Sequence, residues 1–362
     1  MYLGGLIVGA GIETSSHHYG FFTDTVTSFE MVTADGDIVN CSKTENSDLF
    51  NAMPCSYGTI GFLTAVTMPL ILAGKYIKIE YVHMTSVPAA IKLMRERNKN
   101  HGYVEGIMYS MTDIMLMFGD TTDNPKKSQI NYINRWYKPF FHNMVENIMK
   151  KLKASKKKGS SSPPYVEYFP LRDYFHRHSR GMFWQAENNM PLLSNRIVMF
   201  FFGWMHPINT QLVLGLTPSF LLKFMIKDKV LQDFCVPMEK LDEFLRKLDT
   251  IFKLYPIWWC PTKISNDSMW KTPQIYNADY MNLGIYGTAI PSGRTIAERI
   301  GECEQYCLHN DGYNGFYGDV FLNREELRKM YDTTAYDKVR KASSSCRKAF
   351  PDVFDKVLRK IK

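Results

Sequence analysis

The sequence predicts an α+β protein, and three observations carry that prediction. The first 73 residues are dense in glycine and β-forming residues and contain one clear hairpin signature. From about Gly74 onward, helical stretches alternate with short strand-like runs. No stretch reaches the roughly 18 uninterrupted apolar residues of a membrane-spanning helix. A sheet covered by helices is the arrangement such a mixture favours.

The chain opens on "GGLIVGAGIETSSHHYG", Gly4 to Gly20, with five glycines in seventeen residues. It reads as a loop that brings backbone N–H groups close to a ligand, because glycine has no Cβ to stand in the way. Ser15 and Ser16 add hydroxyl donors. A Rossmann fingerprint lacks its third glycine here, and no Gly-Lys-Ser/Thr follows for a P-loop. A tight glycine turn between strands is the other reading.

"SFEMVTADGDIVNC" alternates apolar and polar residues into Asp35-Gly36 and out again, which is a hairpin. "ENSDLFNAM" reads as a short helix with Asn46 or Ser47 as N-cap. "GTIGFLTAVTMPLIL" reads as a glycine turn, Gly58 to Gly61, then a strand with Pro69 near its end. Helices are expected over 89–98, 131–153, 239–252, 295–308 and 324–331, with "EGIMYSM" and "IMLMFG" as strands. "KASKKKGSSSPPY" is a linker-like break. "IVMFFFGWM" is too short to span a membrane; it reads as a core strand or as a surface that dips into a bilayer. Two short helices around Phe350-Pro351 are expected in the tail.

The 362 residues have room for two domains, and 45% hydrophobic and 22% charged residues are ordinary globular values. Aromatic content of 14% suits either a large apolar cavity or an aromatic core. The net charge of +8 is local: Lys150, Lys151, Lys153, Lys156, Lys157 and Lys158 supply most of it. No nucleic-acid-binding module is visible. Seven cysteines, odd in number and without Cys-x-x-Cys, point to reduced thiols and not to a disulfide framework. Cys303 and Cys307 lack a matching ligand pair, so no metal is expected. Residues 135–158 read as a basic amphipathic helix for an anionic membrane surface or calmodulin, or as a solvated helix end before a loop.

The two glycine clusters, "GGLIVGAGIETSSHHYG" and "NSDLFNAMPCSYGTIGFLTAV", resemble the second half of the FAD-binding domain of the vanillyl-alcohol-oxidase, or PCMH-type, family. The strings "VEYFPLRDYFHRHSRGMFW", "FFGWM", "LQDFCVPM", "YPIWWCP" and "LNREELRKMYD" resemble, within it, the Delta(24)-sterol reductase family, from Tyr2 to about Lys356. The resemblance implies a partial PCMH-type domain over 1–73 and a cap or substrate domain over 74–330, with an inserted loop at 153–164. A helical tail over 331–362 completes that division. The chain would then be N-terminally truncated, lacking the first FAD subdomain and a membrane anchor.

The chemistry implied is reduction of a sterol side-chain double bond with FAD and NADPH, at the cytosolic face of the endoplasmic reticulum membrane. A proton is added to one alkene carbon and a hydride from reduced flavin to the other. The residues carried over for the cofactor are Gly4, Gly5, Gly9, Gly11, Ile12, Glu13, Thr14, Ser16, Tyr19, Gly20, Gly58, Gly61 and Phe62. The proton donor is sought first at His176 or His178, then at Tyr317, with Asp319 and Glu325 nearby. Trp204, Trp258 and Trp259 are candidate walls of the sterol cavity, or ordinary core. Two other readings stand beside this one. A sugar or lactone oxidase of the same superfamily is one, although Gly4–Gly11 holds no His or Cys for covalent flavin. A non-catalytic remnant that binds membranes or partners is the other.

Overall fold

The computed structural model describes residues 3–9, 11–157, 164–189, 192, 195–205, 229–264 and 278–358. Among these, mixed helix and sheet bear out the α+β class. A small antiparallel sheet has the order β2-β1-β3, from β1 (Ser28–Val32), β2 (Ile38–Ser42) and β3 (Phe62–Thr67). The expected hairpin is there: Val32 pairs with Ile38, and Gly36 closes the turn at φ 91°.

The large sheet is antiparallel at every pairing, in the order β11-β8-β10-β9-β5-β6-β4-β7. Its strands are β4 (Tyr76–Met84), β5 (Tyr103–Ser110), β6 (Asp113–Thr122), β7 (Tyr165–Pro170), β8 (Lys229–Pro237), β9 (Ile257–Ile264), β10 (Ala278–Thr288) and β11 (Tyr313–Asn314). Both faces are covered, which is why "IMLMFG" reads as a continuous apolar run. In β6, Ile114, Leu116 and Phe118 enter one core, and Met115 and Met117 enter the other. Helices Val87–Arg97, Leu241–Ile251 and Ile296–His309 contribute to the first core. Leu241, Phe244, Leu245, Leu248 and Ile251 form a stripe of period 3.6 that does so. Helix Phe141–Lys157 buries Phe141, Val145, Ile148 and Met149 in the second core.

Four expectations are corrected. The opening segment is not a loop throughout: Leu3–Val8 is a helix, because Ile7 is drawn into the core and carries one turn with it. The helix expected from Asn131 starts at Phe141, since Pro139 lacks an N–H and disfavours helix at the residue before it. "IVMFFFGWM" is a helix over Arg196–Phe202, not a strand, and most of its large side chains face outward. The tail holds three short helices, Thr334–Ala342, Ser344–Ala349 and Val353–Val357. Lys158 and most of the Lys/Ser/Pro stretch lie outside the described residues.

The tail folds back on the first segment. The buried Arg340 guanidinium donates to the carbonyls of Thr59 (2.7 Å), Phe350 (3.1 Å) and Pro351 (3.1 Å). The Tyr336 and Thr59 hydroxyls lie 2.7 Å apart. These bonds fix the loop that holds Gly58 and Gly61. All seven cysteines are free.

Glu304 is fully buried; its carboxylate accepts from Asn314 Nδ2 (2.6 Å) and from the Phe321 N–H. Burial pushes its pKa up to about 8, above the ordinary carboxylate value. The folded protein therefore holds a proton that the unfolded chain releases near its normal pKa, so stability falls as pH rises between those two values. The slope contributed there is at most about 1.4 kcal/mol per pH unit. Glu304→Gln is expected to flatten it, read as urea midpoints at mildly acidic and mildly alkaline pH. Equal slopes for both proteins would show that Glu304 is not the titrating group.

Candidate functional site

The opening segment crosses the large sheet, and five hydrogen bonds hold it there. Val104 N–H donates to Thr14 O (2.8 Å), and Cys260 Sγ donates to Glu13 O (3.2 Å). The Thr14 and Tyr174 hydroxyls are 3.1 Å apart. His17 and His18 both reach His101 O through Nε2, at 2.8 and 2.9 Å. The second glycine cluster joins it: Tyr57 N–H donates to Val8 O (3.0 Å). The loop there keeps Cys55, Tyr57 and Gly58 at φ 57°, 51° and 71°, a region that suits only the glycine. The Tyr57 hydroxyl is buried beside Gly9 without a partner among the described residues.

Two acids lie against this segment. Glu105, 1% exposed, accepts from Arg177 Nε (2.7 Å), Trp258 Nε1 (2.9 Å) and His178 Nε2 (3.2 Å). Burial alone would raise its pKa, but Arg177 and His178 outweigh burial and hold the carboxyl well below the usual range. His178 stacks on Phe183 with ring centroids 4.2 Å apart, and burial pushes its pKa down to about 4. It is a neutral donor at neutral pH. Burial raises Glu13, with Arg177 opposing.

The second acid is Asp233 on β8, also 1% exposed. Its Oδ1 accepts from Asn282 Nδ2 (2.8 Å), and Tyr286 OH lies 2.8 Å from its Oδ2. Tyr317 also hydrogen-bonds it. No cation stands beside it among the described residues, and burial raises its pKa above the ordinary value against those hydrogen bonds. Asp233 and Tyr317 line a small cavity of about 20 Å³ together with Gly9 and Ile12.

A larger cavity of about 210 Å³ lies further along the segment, lined by Tyr19, Gly20, Lys43, Asn51 and Lys263 among others. Lys43 and Lys263 suit the phosphates of a nucleotide. Sites that enclose a whole drug-sized ligand run to about 300–1,000 Å³, so this cavity has room for only part of a dinucleotide.

The sequence-derived candidates separate accordingly. Gly9, Ile12, Tyr19 and Gly20 line the two cavities. Gly4 and Gly5 lie in the opening helix. Gly11 and Gly61 are small for packing: a Cβ would stand 2.4 Å from Leu6 Cδ2 and 2.2 Å from Met31 Cε respectively. Ser16 Oγ accepts the Glu13 N–H and is occupied by its own turn. Phe62 is exposed against Phe350, and Gly58 serves its turn. His176 is exposed beside Ser179, so the two histidines do not act together.

The three tryptophans do not share a cavity. Trp258 and Trp259 point to opposite faces of β9 and are both core, and Trp204 is exposed. Glu105, Arg177, Asp233, Asn282 and Tyr286 were missed. The available signal was an acid inside an otherwise apolar strand, in "VEGIMY" and "LQDFCVPM".

No family model matches the chain. It is 37% identical to Delta(24)-sterol reductase of Homo sapiens over 361 residues, 99% of this chain and 68% of that protein. The Delta(24)-sterol reductase homolog dhcr-24 of Caenorhabditis elegans is 33% identical, again with 99% of this chain covered and 69% of the relative. Delta(24)-sterol reductase of Pisum sativum is 30% identical over 94% of this chain and 64% of its own length. Cytokinin dehydrogenase 9 of Oryza sativa subsp. japonica is similar over 109 residues only, at 30% identity, 29% of this chain and 21% of its own length.

Two substitutions follow from this geometry. Glu105→Gln leaves Arg177 without its counter-charge and is expected to cost about 3–5 kcal/mol of stability, read by urea unfolding. A loss below 1 kcal/mol would mean the cluster is not anchoring the fold. Gly61→Ala is expected to lower stability by about 1–3 kcal/mol in cofactor-free protein, through overpacking against Met31. Unchanged melting without cofactor would return Gly61 to the binding role.

Proposed function

The chain belongs to the Delta(24)-sterol reductase family, and from that premise we propose that it reduces the C24–C25 side-chain double bond of a sterol, with FAD and NADPH as redox cofactors. The observation that carries the chemistry is a buried acid beside the glycine segment, Asp233 with Tyr317, with no cation next to it among the described residues.

An unconjugated alkene has no carbonyl to accept charge, so addition of a proton to C24 places a tertiary cation at C25. Asp233 suits the proton-donor role: burial favours its protonated form, and Asn282 and Tyr286 orient the carboxyl. Tyr317 bridges Asp233 toward the surface, since the residue is 52% exposed while its hydroxyl engages the acid. His178 and His176 are set aside as donors, the first neutral and bound to Glu105, the second open to solvent. Flavin, when bound, supplies the hydride that completes the CH–CH product. Gly9, Ile12, Tyr19, Gly20, Lys43 and Lys263 would hold it along one wall.

On this reading the small sheet and the opening segment correspond to the second half of a PCMH-type domain, and the large sheet to the cap. An endoplasmic reticulum location follows from the family. Among the described residues no helix is long and apolar enough to cross a membrane.

The test is the visible spectrum of the purified chain after incubation with FAD and desalting, then NADPH-dependent turnover of a sterol carrying the C24–C25 alkene. Retained flavin absorbance and turnover are expected. Asp233→Asn is expected to lower turnover about 10²–10⁴-fold with flavin retention unchanged. Unchanged turnover would remove Asp233 as the acid. A colourless, inactive protein would overturn the cofactor reading for this chain.

A further inference from the structure

We propose that Glu304 is a positioning residue for the acid Asp233: from the helix Ile296–His309 it ties down both ends of the loop that carries Tyr317 to that acid. The proposal rests on the reading of Asp233 as proton donor. That chemistry makes no direct use of Glu304, yet the residue is fully buried. A carboxyl group taken out of water without a counter-charge is costly, so its place needs a reason. Among the described residues no cation pairs with it, and Glu326, held by Gln305 Nε2 (2.7 Å), adds a like charge.

The reason lies in where its hydrogen bonds go. Asn314 Nδ2, before Tyr317 in the chain, donates to Oε1 (2.6 Å). The Phe321 N–H, after Tyr317, donates to Oε1 (3.2 Å) and Oε2 (3.1 Å). One carboxyl group therefore closes the loop 314–321 at its base. Tyr331 also holds the first end, since its hydroxyl accepts the Asn314 N–H (3.1 Å) and donates to Asn314 O. Val320 bridges to Leu358 near the second end. Each of those holds one end; Glu304 holds both.

The loop so closed lies on β8 beside the acid. Gly315 N–H donates to Asp233 O (2.8 Å), Gly318 N–H to Gly315 O (3.2 Å), and Gln232 Nε2 to Asp319 O (2.9 Å). A Cβ on Gly318 would stand 2.4 Å from Gln232 Oε1, so the approach is close. Phe316 packs on Tyr331 and Tyr57, with ring centroids 4.5 and 5.9 Å away. Tyr317 then returns to the Asp233 side chain. If the two ends spread, the phenol leaves the acid, and proton transfer is sensitive to displacements of about 1 Å.

Glu304 also titrates where its neighbours do not. Cys303 and Cys307 on its own helix and Tyr331 beside Asn314 are all raised by burial and stay protonated near neutral pH.

The experiment compares wild type, Glu304→Leu and Glu304→Gln as full chains incubated with FAD. Leucine fills the space and accepts no hydrogen bond; glutamine keeps an acceptor in the same place. Glu304→Leu is expected to lower kcat for sterol reduction about tenfold or more, with sterol KM and retained flavin within about twofold of wild type. Glu304→Gln is expected to keep kcat within about threefold of wild type at neutral pH, where burial leaves the wild-type group protonated. Wild-type kcat in Glu304→Leu, or a Gln variant no better than Leu, would overturn the proposal.

Hydrogen exchange over residues 313–322, followed by mass spectrometry, reads the clamp without turnover. Faster exchange in Glu304→Leu than in wild type is expected, and equal exchange overturns the proposal. If that variant melts early, wild type and Glu304→Gln decide. Opening the loop releases the proton that the closed form keeps up to about pH 8. Wild-type protection is therefore expected to fall as pH rises toward that value, beyond the intrinsic rise in exchange, and Glu304→Gln protection is not. Parallel profiles would overturn the proposal. A wild type that binds FAD and reduces no sterol would overturn the enzymatic reading instead, and exchange still decides whether Glu304 holds the Tyr317 loop.

Discussion

The buried carboxylate of Glu105 constrains the rest of the structure. An acid enclosed in a sheet is tolerated only if charged and polar donors meet it. Here they come from two directions. Trp258 reaches it from the neighbouring strand, and Arg177 and His178 reach it from the turn after helix Leu171–Phe175. That requirement pins the aromatic segment from Tyr174 to Trp184 onto the sheet. Tyr174 in turn meets Thr14, so the position of the opening segment depends in part on that charge.

A second acid completes the contrast. Glu105 has a guanidinium beside it and is held ionised; Asp233 has only neutral partners among the described residues and is pushed toward its protonated form. Two carboxyl groups in one fold thereby take opposite roles, and environment alone separates them. Ile12 lies on the cavity of the second acid, and Glu13 lies within the field of the first. The opening segment meets both, and its end at Tyr19 and Gly20 lines the larger, lysine-lined cavity. A buried acid and a lysine-lined cavity are thus arranged around the same short stretch of chain.

Much of the fold was legible. Asp35-Gly36 specifies its hairpin because few residues accept the turn's backbone angles. The stripe from Leu241 to Ile251 specifies a helix because only a period of 3.6 gathers those side chains on one face. The opening helix was misread because glycine content argues for loop, while burial of one isoleucine was enough to wind the turn. The helix after Pro139 was begun too early because apolar residues upstream mimic its pattern. In the site, the glycine segment was found and its partners were not. Acids in apolar strands look like isolated irregularities until the strand order places them beside one another's donors.

Sequence alone determined the class of fold, the hairpin, the principal helices and the family, since local periodicity and extended strings of residue types carry that information. It also marked Gly9, Ile12, Tyr19 and Gly20 as worth attention. Only the tertiary structure decided which of the candidates share a cavity. It placed His178 on Glu105 and Tyr317 on Asp233, sent Trp258 and Trp259 to opposite cores, and left Trp204 outside. The physical reason is that these outcomes depend on which strand lies beside which, and on the burial of charges far apart in the chain. Neither quantity is written in any local stretch of residues.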